Sequence, residues 1–169
     1  MIKSFVSRYL KPDKKFKSVD EINLEELKTE GIRGIILDLD DTLVPSDKKT
    51  PKDKINKWLK KAKKDFSIFV VSNNSRTEYV KKYCEKFDIP FVAQAAKPRS
   101  KFLEKAMIHM KLKKKEEVVI IGDRITTDIL AGKLFGIKAF LVKPLTKMPS
   151  TLQKMVYTLE SYILLKLET

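Results

Sequence analysis

Short apolar runs alternate along the chain with segments whose apolar residues recur at helical spacing. Ile2, Phe5, Val6, Tyr9 and Leu10 repeat in this way in a basic opening segment. A short helix is expected next, with Asn23 as its N-cap and Gly31 as its stop. The run Ile35, Ile36, Leu37 reads as a buried strand ending in acid. Thr50 and Asp53 form a capping-box-like pair around Pro51, opening a helix that runs to about residue 64. Further strands are predicted over residues 67–72, 90–93, 118–121 and 138–142. Helices are predicted over residues 75–87, from Pro98 through Met107, over 126–135 and over 149–167. Strands without alternation, separated by helices, predict a parallel sheet covered on both faces. The expected fold is an α/β, doubly wound, Rossmann-like sheet of about five strands in one domain over residues 1–169.

Composition adds a partner to this picture. Of 169 residues, 43% are apolar, which is enough for a core, and 34% are charged. Cys84 is the single cysteine, so no internal disulfide forms, and the expected location is the cytoplasm. No run approaches the roughly 20 apolar residues of a membrane span, and the first residues lack the apolar core of a secretory signal. A net charge of +14 favours polyanions, either anionic lipid or nucleic acid, though a solvated lysine-rich surface accounts for it equally well.

In parallel sheets of this kind, ligands sit at the carboxyl ends of the strands. The unusual polar residues of this chain fall at those ends. Asp38, Asp40 and Asp41 follow the first predicted strand, Ser72, Asn73 and Asn74 the second. Lys97 lies in the loop after the third, and Asp123 and Asp128 follow the fourth. Crowded carboxylates call for a divalent cation, and all-oxygen donors favour Mg2+ over zinc. His109 stands alone in a predicted helix and is read as a bystander. Taken singly, each residue is more readily a turn former, a cap or surface polarity.

Taken in order, they resemble a family. The segment DLDDTL at 38–43, Ser72 closing an apolar strand, Lys97 before Pro98, and Gly122–Asp123 followed by Asp128 are similar to the four motifs of the haloacid dehalogenase superfamily. The resemblance implies that Asp38 is the nucleophile and that Asp40 is the general acid and base. It implies Mg2+ held by Asp38, the backbone carbonyl of Asp40, and Asp123. Ser72, Asn73 and Lys97 would bind the phosphate, and Asp128 would orient Lys97 or a metal-bound water. Thr42 would hold the loop after the first strand.

Over nearly the whole chain, the segments at 31–44, 70–75, 95–106 and 118–136 resemble the YqeG-type subgroup, which includes phosphatidylglycerophosphate phosphatases. Arg124 and Lys133–Leu134 depart from the pattern expected there. The implied substrate is a phospholipid headgroup at an anionic membrane surface. No cap domain fits between the motifs, so the site is expected to be open to bulky substrates. Lys3, Arg8 and Lys11 beside the apolar face of the N-terminal segment suit such a surface, whereas the C-terminal helix is expected to pack on the sheet. Arg76, Arg99 and Arg124, each just after a motif, are candidates for a second phosphate. The alternatives are a phosphatase of nucleic-acid ends or of small metabolites, or a non-catalytic basic binding module. The missing aromatic-lined basic groove argues against nucleic acid, and the pairing of Asp38 with Asp40 argues against the binding module.

Overall fold

The computed structural model describes residues 2–47, 52–146 and 151–168. It contains six strands: β1 (Lys14–Phe16), β2 (Gly34–Asp38), β3 (Ser67–Val71), β4 (Phe91–Val92), β5 (Val118–Gly122) and β6 (Lys138–Val142). All pair in parallel, in the order β1-β6-β5-β2-β3-β4. The helices are α1 (Ile2–Tyr9), α2 (Leu24–Thr29), α3 (Asp53–Asp65), α4 (Thr77–Lys86), α5 (Lys101–Met110), α6 (Leu130–Phe135) and α7 (Thr151–Glu168).

The central strands are apolar throughout because both of their faces are covered. Ile35, Leu37, Ile68, Val70, Val119 and Ile121 pack under α2, α3 and α4. Their sequence neighbours Ile36, Phe69, Val71, Val118 and Ile120 pack with α5 and α6 on the opposite face. The two-residue side-chain period of a strand thus feeds two separate cores. Asn23 caps α2 as expected, its Oδ1 accepting from the Glu25 N–H at 3.0 Å. Gly31 follows at φ +77, in the left-handed region that a helix stop requires.

Several boundaries differ from the sequence expectation. The sixth strand, β1, was not foreseen, since Lys-Lys-Phe offers no apolar run. It is an edge strand held by register with Phe140 to Val142 and by ion pairs from Lys14 to Glu26 and Glu30. Pro98 does not open α5, which begins at Lys101. The side chain of Asn73 occupies the Lys97 backbone, so the chain turns before it coils. The helix predicted from Thr126 is instead a π-helical turn, Ile125–Ile129, running into α6. The expected cap of Thr50 and Pro51 lies outside the described residues.

Residues Val6 and Leu10 of the opening segment face inward, Leu10 buried and Val6 packed against the second core. On α7, Ile163 and Leu164 pack inward, while Leu152, Met155, Leu159, Tyr162 and Leu165 are exposed. Among the described side chains, an outward apolar stripe is found on the C-terminal helix.

Trp58 ties α3 to the chain before α2, its indole N–H donating to the Ile22 carbonyl at 2.9 Å in a buried setting. Trp58→Phe leaves that carbonyl unpaired and should lower unfolding free energy by about 1–3 kcal/mol. Urea denaturation measures this, and an unchanged midpoint would count against the assignment.

Candidate active site

The switch in strand order places β2 between β5 and β3, and the site is built outside their carboxyl ends. Asp38 is the last residue of β2. The chain then closes on itself through Asp41, which has φ 64 and donates its N–H to the Val44 carbonyl at 2.7 Å. An aspartate tolerates this backbone better than most side chains. Leu39, Leu43 and Val44 anchor the loop in the core.

Lys97 supplies the central cation. Its ammonium bonds Asp38 and, at 2.7 Å, Asp128, and all three side chains are buried. Carboxylate oxygens of Asp38, Asp123 and Asp128 lie within 4.8 Å of one another. Burial pushes the Asp38 carboxyl up to about 7, with Lys97 pulling the other way and Asp128 adding to the rise. Asp123 is raised well above the usual range by burial, then by Asp38 and Asp128. Burial acts to lower the Lys97 ammonium, but Asp128 and Asp38 outweigh it and hold it above its ordinary value. Among the described residues these three carboxylates are paired with the Lys97 ammonium alone, so the cluster has room for further positive charge. The all-oxygen donors fit a hard divalent cation.

Asp128 reaches this cluster because Gly122 lacks a side chain. A Cβ there would lie 2.3 Å from the Asp128 Cγ. The π-helical turn aims Asp128 inward, and its Oδ2 accepts from the Arg124 N–H and the Thr127 hydroxyl, both at 3.2 Å. Asp40 stands apart from the carboxylate cluster. Its Oδ2 accepts from Asn74 Nδ2 at 3.0 Å and the Ser72 hydroxyl at 3.4 Å. Asn73 holds the Lys97 backbone with its side-chain amide, accepting from the Lys97 N–H at 2.9 Å.

The side chains form a cavity of about 240 Å³ that includes Asp38, Asp40, Ser72, Lys97, Asp123 and Arg124. Arg76 and Arg99 are exposed and do not line it; Arg124 does. Thr42 and Asp41 differ in how they sit in the loop after β2. Thr42 is fully buried, yet its hydroxyl has no hydrogen-bond partner among the described residues. Asp41 carries the hydrogen bonds, accepting from Ser46 and Thr146 through both their N–H and hydroxyl groups. His109 is exposed on α5 and packs edge-on against Phe69, away from the site.

The opening expected above the site is partly covered by α7. The Tyr157 hydroxyl lies 3.3 Å from Asp41 Oδ2 and 3.2 Å from Asp123 Oδ2, donating toward these carboxylates. Burial, then Asp123 and Asp41, raise its pKa. Gln153 donates to the Ser46 hydroxyl at 3.3 Å, and Glu160 accepts from the Thr126 N–H at 3.1 Å. Sequence reading did not single these residues out. The spacing of 153, 157 and 160, which puts all three on one face of the helix, was the signal for them.

A family model described as mitochondrial PGP phosphatase matches residues 4–146. The chain belongs to this family. It is a phosphatase. A probable phosphatase, YqeG of Bacillus subtilis, is 36% identical over 140 residues, covering 82% of this chain and 80% of that one. Two solved structures share the fold at low identity. A protein from Listeria monocytogenes serotype 4b matches at TM-score 0.55 and 18% identity, over 82% of this chain and all of its own. A probable yrbi family phosphatase from Pseudomonas syringae pv. phaseolica matches at 0.50 and 14%, over 85% of this chain and 92% of its own. Helix α7 lies beyond the residues that the family model matches.

Gly122→Ala should force Asp128 away from Lys97. The expected result is a stability loss of about 1–3 kcal/mol, as for other overpacked cores, together with a large fall in phosphatase activity. Thermal unfolding and phosphate release measure the two, and a fully active, equally stable variant would contradict the contact.

Proposed function

We propose that this phosphatase is a magnesium-dependent phosphomonoesterase that works through an aspartyl-phosphate on Asp38, with phosphatidylglycerophosphate as its substrate. The observation that carries the chemistry is the ion pair of buried Asp38 with Lys97, beside Asp123 and Asp128 and apart from Asp40. A carboxylate oxygen of Asp38 attacks phosphorus while the bond to the leaving oxygen breaks. Asp40, protonated, gives its proton to that oxygen. In the second half, water attacks phosphorus, its proton passes to Asp40, and phosphate leaves with the Asp38 carboxylate restored. Lys97 and Ser72 contact the equatorial phosphoryl oxygens, and Asp128 fixes the Lys97 ammonium. The backbone N–H of Asn73 is the group of that residue that points to phosphate binding, since its side chain holds Lys97 in place.

Asp38, Asp123 and the Asp40 carbonyl would hold Mg2+, which when bound offsets the repulsion between the attacking carboxylate and the phosphate dianion. The family description, the absence of an inserted cap domain and the net charge of +14 support the lipid substrate. Of the three arginines considered for a second phosphate, the cavity lining supports Arg124. The protein would then act peripherally at an anionic surface; no helix among the described residues is long and apolar enough to cross a membrane.

Asp38→Asn should abolish phosphate release with the fold retained. Asp40→Asn should cost roughly 10²- to 10⁴-fold, the usual worth of a positioned proton donor. Near-normal turnover by purified Asp38→Asn would sink the mechanism. Magnesium should also stabilise the metal-stripped protein, by about 2.7 kcal/mol at a hundred times its Kd. Thermal unfolding would register this without any turnover, and Asp123→Asn should weaken it. Chelator-resistant activity in a stripped preparation would refute the metal requirement. A panel of lipid, nucleic-acid and small-metabolite phosphates decides the substrate.

A further inference from the structure

A second, larger cavity of about 630 Å³ lies beside the site, between α7 and the sheet edge formed by β1 and β6. Its walls are apolar: Phe16 from β1, Leu141 from β6, Ile125 from the turn after β5, and Leu164 from α7. Lys15, Lys17 and Lys143 also line it from exposed positions, and the carboxylates of Glu21, Asp123 and Glu160 share the lining. Asp123 and Tyr157 line both this groove and the smaller catalytic cavity, so the two adjoin.

We propose that this groove is a second subsite, which takes the apolar glycerolipid part of an anionic amphiphile whose phosphomonoester lies among Asp38, Ser72 and Lys97. The inference rests on the lipid-phosphatase reading above and adds where the rest of the molecule goes. An apolar trough rimmed by cations matches an anionic headgroup joined to hydrocarbon, whereas a small polar metabolite leaves the trough unfilled. Continuity through Asp123 and Tyr157 puts the trough next to the reacting phosphate. The exposed stripe of Leu152, Met155, Leu159 and Tyr162, with Lys154 and Lys166 on the same helix, gives α7 an outward face suited to an anionic lipid surface. The trough would thus open where such a ligand is held. Since α7 lies beyond residues 4–146, this wall is not part of the segment matched to the family.

The test uses the full chain with magnesium and three substrates: dioctanoyl phosphatidylglycerophosphate in mixed micelles, its deacylated glycerol ester, and para-nitrophenyl phosphate. Ser161 lines the groove from an exposed position on α7 and takes no part in the catalytic cluster. Ser161→Trp should fill the trough and raise KM for the acylated substrate roughly tenfold or more, the scale on which a blocked apolar pocket discriminates. Its kcat/KM on the other two substrates should stay unchanged. Lys17→Glu, at a surface position, should weaken the acylated substrate in the same selective way, and it serves if the tryptophan variant folds poorly. Equal losses on all three substrates, or none on the acylated one, would overturn the subsite while leaving the lipid reading intact. If the unaltered enzyme cleaves para-nitrophenyl phosphate but not the lipid, the lipid reading fails and the subsite fails with it.

Discussion

The Lys97 ammonium, buried between Asp38 and Asp128, is the interaction on which the site depends. Breaking a buried pair by removing one partner leaves an uncompensated charge, which is far more destabilising than the pair is stabilising. Here the environment is still more demanding, because Asp123 adds a third carboxylate within reach. Every local feature around the cluster serves this placement. Asn73 holds the Lys97 backbone, Gly122 makes room for Asp128, and the wide turn after β5 points Asp128 inward. The parallel sheet contributes by bringing β2 and β5 side by side, so that Asp38, which ends one, lies near Asp123, which directly follows the other.

The same cluster explains why so much of the site could be read in advance. A charge at the end of an apolar run violates the local pattern, and in a parallel sheet all such ends point to one edge. Asp38, Ser72 and Asp123 close apolar runs, Lys97 and Asp128 lie in the segments that follow two of them, and the structure gathers all five into one cavity. The sheet was legible for the same reason, since its central strands are continuous apolar runs. What escaped lay where periodicity carries little information. The strand β1 is three residues long and two of them are lysines; its position is set by pairing with β6. The turn at Ile125–Ile129 runs straight into α6, so its widened winding leaves no mark in the pattern, although it is what sets Asp128 beside Lys97. Thr42 and Asp41 are adjacent polar residues, and sequence alone does not say which of them gathers the loops.

The Asp41 carboxylate also shows how a helix outside the motif set becomes part of the site. It receives hydrogen bonds from Ser46 after β2, from Thr146 after β6 and from Tyr157 on α7. Tyr157 in turn reaches Asp123. One tyrosine hydroxyl therefore joins the loop that carries Asp38 and Asp40 to the loop that carries Asp123. A hydroxyl donated to carboxylates in a buried setting is strengthened by their charge, and it orients the oxygens it binds. The position of α7 is thereby coupled to the geometry of the acidic cluster. Because that helix also forms one wall of the apolar groove, whatever fills the groove bears on the helix whose tyrosine contacts Asp123. Substrate recognition beyond the phosphate and the alignment of the catalytic carboxylates would then meet at a single side chain. That follows from packing one amphipathic helix between the groove and the strand ends.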